Sequence, residues 1–170
     1  GVGVGSLTEE FDLLDAPFGD RGRRADESLR AIREGFGSSI QDFSGEFYHY
    51  RHFITAPAGI QSPPPIWVGG RTARSLRRAI DFGQGWVPFG LDAPRLGALL
   101  DAHQPPAGFQ SVLATGPMLD PSGSPQECLD ALEQIECAGA SVINCAIRSG
   151  SATHYIDQLH ALAELRGLTP

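Results

Sequence analysis

A chain of 170 residues with 41% apolar content carries enough hydrophobic material for one sizeable buried core, which excludes global disorder. Its net charge of -7 and pI near 5.1 exclude the clustered basic face that nucleic acid or an anionic membrane surface requires. No apolar run approaches the roughly 18 residues of a spanning helix, and the opening GVGVGSLTEE lacks the positive n-region of a signal peptide, so the expectation is a cytoplasmic protein with no nucleic-acid or membrane partner.

Gly1 to Gly5 alternates glycine with valine and reads as the tail of a strand, which predicts further chain upstream. Glu9 to Leu14 carries a short helical pattern that stops before Pro17. A longer helix is predicted from about Asp20 to Phe36, with Ala25, Leu29, Ile32 and Phe36 on one face at steps of three or four. Asp26 and Glu27 with Arg23 and Arg24 read as a solvated or inter-helix charge cluster. From Gly37 to Pro65 the periodicity fails and a Pro, Gly and Ser-rich stretch predicts a hairpin or irregular insertion, about residues 37–64. His49 and His52 fall within it and read as exposed loop residues.

Pro65 to Gly70 (PIWVGG) is a continuous apolar strand of the kind buried on both faces, followed by a helix that Thr72 can cap, with Leu76, Ala79 and Ile80 inward. Gly85 to Phe89 gives the next strand, and Asp92 opens a helix to about His103 with Leu96, Leu99 and Leu100 as its apolar face. Gln110 to Gly116 is another strand. Ser124-Pro125-Gln126-Glu127 has the form of a capping box with proline in the first turn, opening a helix that ends near Gly139. Ser141 to Ile147 is the last strand, and Ser151 opens a terminal helix with Ile156, Leu159 and Leu162 inside. Cys128, Cys137 and Cys145 are odd in number and lack metal-ligand spacing, so they read as buried, inert thiols and no metal site is expected.

Strands alternating with helices through short turns predict a single α/β domain with a parallel sheet. A complete (β/α)8 barrel takes about 250 residues, so five strand-helix units in this length would leave an open edge with three strands absent. The self-sufficient alternative is an open doubly wound sheet. An open parallel edge predicts that the isolated chain self-associates.

Ligands of parallel α/β folds collect at the carboxyl ends of strands. Two such places carry usable chemistry. At Gly69-Gly70-Arg71-Thr72 the glycines let a phosphate approach the backbone, the N–H groups of the new helix point at it, and Arg71, Thr72 and Ser75 add charge or hydroxyls. The plain alternative is a tight turn with an N-cap. At Gly3-Val4-Gly5-Ser6 the glycines permit contact with a flat ring, although glycines in strands more often relieve packing. His154 and His160, six apart on one helix, lie on different faces and cannot share a metal. No serine or cysteine nucleophile has a credible local motif.

The segments GVGVGSLTEEFDLLDAPFGDRGRRADE and PPPIWVGGRTARSLRRAIDFGQGW resemble the luciferase-like monooxygenase superfamily, and in style its coenzyme F-420-dependent branch. The resemblance implies a (β/α)8 TIM barrel in which GVGVG ends the fourth strand and PPIWVGG forms the fifth, so that about the last five strand-helix units are present and the domain is N-terminally incomplete. It further implies that Val4, Gly5 and Ser6 approach a cofactor whose phosphate is held by Gly69, Gly70, Arg71, Thr72 and Ser75. The cofactor implied is the deazaflavin F-420, with FMN as the alternative, acting on a small-molecule substrate. A separate flavin reductase is a partner in the FMN case, and a homodimer is compatible with either. Gln84 departs from the aspartate the family often carries before Gly-Trp. No catalytic residue is assigned, because in this family many acid-base side chains come from the first three strands. The competing function is a non-catalytic or incomplete α/β module that retains a phosphate-binding loop.

Overall fold

The computed structural model describes residues 1–36, 40–57, 60–61 and 64–168, and the chain packs as two compact units, Gly1–Trp86 and Val87–Pro170. The first holds α1 (Thr8–Leu13), α2 (Arg21–Gly35), β1 (Gln41–Ser44), β2 (His49–Phe53), β3 (Trp67–Gly69) and α3 (Ala73–Phe82), and ends within β4 (Gly85–Val87). The second holds α4 (Ala93–His103), β5 (Gln110–Ala114), α5 (Pro125–Cys137), β6 (Val142–Asn144) and α6 (Ala152–Leu165). The α/β class is the one the alternating pattern predicts. Among the described residues no helix is long and apolar enough to cross a membrane.

In the first unit the GVGVG segment forms a single parallel bridge, Val2 to Val68, rather than a full strand. The Val2 N–H donates to Trp67 O at 2.8 Å and the Gly69 N–H to Val2 O at 2.7 Å. β3 lies beside β4, and the core gathers Leu29, Ile66, Val68, Leu76, Ala79 and Trp86. The expected insertion is an antiparallel hairpin, β1 on β2, with Phe43 opposite Tyr50 and Ser44 opposite His49. His49 and His52 are exposed as expected, but they stand on β2 and not in a loop. The parts of the insertion at 37–39, 58–59 and 62–63 lie outside the described residues.

The helix α2 corrects the sequence reading twice. Leu29 is buried, but Ile32 stays 37% exposed, so the inward stripe is narrower than its periodicity implies. Glu27, assigned to a charge cluster, is 3% exposed. Its carboxylate accepts the backbone N–H groups of Glu46, Phe47 and Tyr48, each at 2.8 Å, and so ties α2 to the hairpin turn. The turn closes tightly on it: a Cβ on Gly45 would stand 2.1 Å from Glu27 Oε1. Burial pushes the Glu27 carboxyl upward, but the N–H donors of Phe47, Tyr48 and Glu46, with Arg30 nearby, outweigh it and hold the group below the ordinary glutamate range. Of its neighbours, Asp26 makes the inter-helix pair, with Arg78 of α3, whereas Arg23 makes an exposed pair with Glu46 of the hairpin turn.

In the second unit β5 and β6 pair in parallel, Val112 with Val142 through Ala114 with Asn144, and a further parallel bridge joins Leu119 to Ile147. Asp92 caps α4 through the Arg95 N–H, and Ser151 caps α6 through the His154 N–H. Ser124 does not cap α5. Its backbone sits at ψ 62 instead of the extended value a cap requires, and no side-chain cap bond forms, so the helix starts where the motif says but without the box. On α6 the expected inward residues Ile156 and Leu159 are 52% and 39% exposed, Leu162 is half-buried, and Gln158 is the fully buried side chain. Its Oε1 accepts from Ser122 N and Ser122 Oγ, both at 2.9 Å, while its Nε2 donates to Asp120 Oδ1 at 2.6 Å and Arg148 O at 3.3 Å. The three thiols are likewise unequal: Cys128 is buried, Cys145 half-buried with burial pushing its pKa up, and Cys137 exposed, against expectation.

Two measurements follow from these anchors. Gln158→Leu strands the two donors and two acceptors around it and should destabilise the protein by about 2 kcal/mol or more in urea unfolding. Because the folded Glu27 carboxyl lies below its unfolded value, its contribution is complete above the unfolded pKa and disappears as pH falls through the folded one. Glu27→Gln should therefore lower the urea midpoint at neutral pH and reduce its loss on acidification.

Candidate functional site

The sequence places one set of candidate residues after β3 and another after the Val2 bridge. The bridge is parallel, so both segments run toward the same edge from the Val2–Val68 pair. The two glycine-rich segments are thus neighbours. Gly5 then leaves the strand with φ +78, and a Cβ there would meet the Phe11 ring at 2.6 Å, so only glycine turns the chain at that point. Val4 is half-buried, while Gly5 and Ser6 are exposed.

The loop after β3 is built from side chain and backbone together. Gly70 has φ +131, and a Cβ on it would lie 2.5 Å from Ser75 Cβ. Thr72 is the N-cap of α3 as expected, and the cap is reciprocal: Ser75 N donates to Thr72 Oγ1 and Thr72 N to Ser75 Oγ, both at 3.2 Å. Ser75 Oγ also donates to Thr72 O at 2.7 Å and accepts from the Trp86 indole Nε1 at 3.1 Å. A hydroxyl has one proton and two lone pairs, and here all three are used inside the protein. Ser75 therefore shapes the loop, and its hydroxyl has no capacity left for a ligand. Trp86, which is fully buried on β4, completes that arrangement. The sequence marked Trp86 only as part of an apolar strand.

What the loop leaves outward is the usable chemistry. The first-turn N–H groups of Ala73 and Arg74 have no intrahelical acceptor by the geometry of any helix start, and they carry the positive end of the helix dipole. Arg71, Thr72 and Arg74 are exposed beside them. Gly69 is committed to the sheet through its N–H to Val2 O. Such an edge can hold an anionic group on backbone N–H donors with guanidinium groups alongside. Gln84 supplies the turn bond that an acidic residue would give, since its Oε1 accepts the Ile66 N–H at 2.7 Å. Among the described residues no cluster of His, Cys, Asp and Glu could hold a metal ion.

Comparison with known proteins gives a consistent picture. The luciferase-like monooxygenase family model matches residues 1–108. Uncharacterized proteins of Mycobacterium bovis and Mycobacterium tuberculosis are 37% identical over 100 residues, covering 59% of this chain and 34% of theirs. The crystal structure of the monooxygenase RslO1 from Streptomyces bottropensis superposes with a TM-score of 0.57 at 22% identity, covering 95% of this chain and 50% of that one, a likeness of fold. The chain thus spans about a third of the length of these curated relatives.

The bond network around Ser75 can be tested by itself. Trp86→Phe removes the indole N–H together with part of a fully buried ring system, which should cost about 2 kcal/mol or more of stability, and Thr72→Ala should lose about 1 kcal/mol as a missing cap. Thermal or urea unfolding of the two variants and their double mutant should show non-additive losses, because both act through the same hydroxyl.

Proposed function

The chain belongs to the luciferase-like monooxygenase family, and on that premise we propose that it is the cofactor-phosphate-holding part of a (β/α)8-barrel oxidoreductase acting on a small organic substrate. The observation that carries the reading is the loop from Gly69 to Ser75. It is locked from behind by Trp86 and Ser75, and it lies at the same edge as Val4 to Ser6. In this reading Arg71, Thr72 and the first-turn N–H groups of α3 hold the phosphate, Gly70 keeps the approach open, and Ser75 positions the loop without touching the ligand. Val4, Gly5 and Ser6 border the ring. The cofactor proposed is the deazaflavin F-420, with FMN as the alternative, and when bound it supplies the redox chemistry while the protein orients it and shapes the substrate cavity.

A second reading, a module that keeps the phosphate loop without redox chemistry, rests on the same donors, since first-turn N–H groups and guanidinium groups recognise an anion of any origin. Fluorescence titration with F-420, FMN and inorganic phosphate separates the two. A ring cofactor bound far more tightly than phosphate supports the oxidoreductase, and equal affinities support the module.

Arg71→Ala should weaken cofactor binding by about 1.5 to 3 kcal/mol, or roughly one to two decades. Substitution of Gly70 is a poorer probe, since its added Cβ strikes Ser75 and strains the fold before any ligand arrives. Unchanged affinity in Arg71→Ala would remove the arginine from the proposed site.

A further inference from the structure

Two of the free thiols in the second unit share one core. Cys128 lies in the first turn of α5, 1% exposed, in a cluster with Leu119, Leu132 and Ile147. Cys145 follows β6 directly. Between β6 and the Leu119–Ile147 bridge the chain keeps a strand's alternation: Ile143, Cys145 and Ile147 turn inward, while Asn144 and Ala146 are exposed. Ile143 and Cys145 pack against the cluster that holds Cys128. The helix and the strand segment thus each present a cysteine to the same small volume. Cys137 stands apart, exposed at the last position of α5.

Core thiols are inert when nothing reaches them. Here Cys145 is half-buried, and Cys128 borders a cavity of about 130 Å³ that also touches Asp120, Ser124 and Arg148. Burial, and after it Cys128, push the Cys145 thiol upward, so the two groups are close enough to influence each other. We propose that Cys128 and Cys145 form a reversible disulfide, a redox lock that joins the first turn of α5 to the strand segment after β6. The oxidant is hydrogen peroxide, and the attack starts at Cys145, the thiol that solvent reaches. Its thiolate, having lost its proton to water, attacks one peroxide oxygen; the O–O bond breaks, Cys145 becomes a sulfenic acid, and the other oxygen leaves as hydroxide and is protonated to water. The Cys128 sulfur then attacks the Cys145 sulfur, the S–OH bond breaks, and the hydroxyl leaves as water with the Cys128 proton. The thiols together lose two electrons, and one peroxide becomes two waters. A small dithiol reverses the bond by exchange.

The test uses the full chain with Cys137→Ser, which removes the exposed thiol and its intermolecular products. Folded protein is treated with hydrogen peroxide, alkylated in urea, and read by intact mass and peptide mapping. The expected product has lost two hydrogens, carries no alkyl group at Cys128 or Cys145, shows a Cys128–Cys145 cross-link that a dithiol reverses, and melts roughly 5 to 10 °C higher. Cys145→Ser in the same background should form no cross-link and gain no stability. Both thiols alkylated after peroxide, oxidation of either sulfur to sulfinic acid without a cross-link, or a cross-linked form no more stable than the reduced one would each overturn the proposal. The parent chain gives the same peptide map, so the test stands even where a variant fails to fold. No cofactor enters the assay, and the outcome is independent of the cofactor reading.

Discussion

The hydroxyl of Ser75 takes N–H donors from Thr72 and Trp86 and gives its own proton to Thr72 O, and the shape of the loop after β3 depends on that oxygen. Through Trp86 it ties the loop to the next strand, and through Thr72 it ties the loop to the helix start. Gly70 must then pass so close to Ser75 that no side chain fits. The outward surface is a consequence: with the inner groups satisfied among themselves, the first-turn N–H groups lie beside the exposed Arg71, Thr72 and Arg74. A loop held in this way presents its donors in a fixed geometry, which is what recognition of an anion needs.

Both units repeat the device on a larger scale, with one buried polar side chain organising a segment of irregular backbone. Glu27 does this for the hairpin turn and Gln158 for the turn that carries Asp120 and Ser122. The two solutions differ electrically. Glu27 brings a charge into a buried position and needs three N–H donors to keep it there, whereas Gln158 is neutral and splits its bonds between acceptor and donor ends. The Gln158 amide in turn holds the Asp120 carboxyl below its usual range, with Gly123 N–H adding to the effect against the opposing pull of burial.

Most element positions were legible because their signals are local. Thr72, Asp92 and Ser151 cap the helices they precede, and the unbroken apolar run of PIWVGG marks a buried strand. Ser124 shows the limit of a motif: the residues of the box are present, but the backbone at that position points the hydroxyl elsewhere. Glu27 and Gln158 were not legible, since a polar residue on a helix reads as solvent-facing until its distant partners are known. The partners of Gln158 lie up to 38 residues away, and its burial displaces the apolar face that periodicity assigned to Ile156 and Leu159. At the candidate site, residue types pointed to the loop, while the division of labour within it, with Ser75 and Trp86 inside and Arg71 outside, required the hydrogen bonds themselves.

The Glu27 anchor also imposes an order in time. Glu27 precedes its three backbone partners by 19 to 21 residues, whereas the Arg78 that pairs with Asp26 follows it by 52. Chains emerge from the ribosome amino end first, and short loops close at smaller entropic cost than long ones. The hairpin turn is therefore the earlier of the two closures onto α2, and the Asp26–Arg78 pairing, which brings up α3 and the loop before it, is the later one.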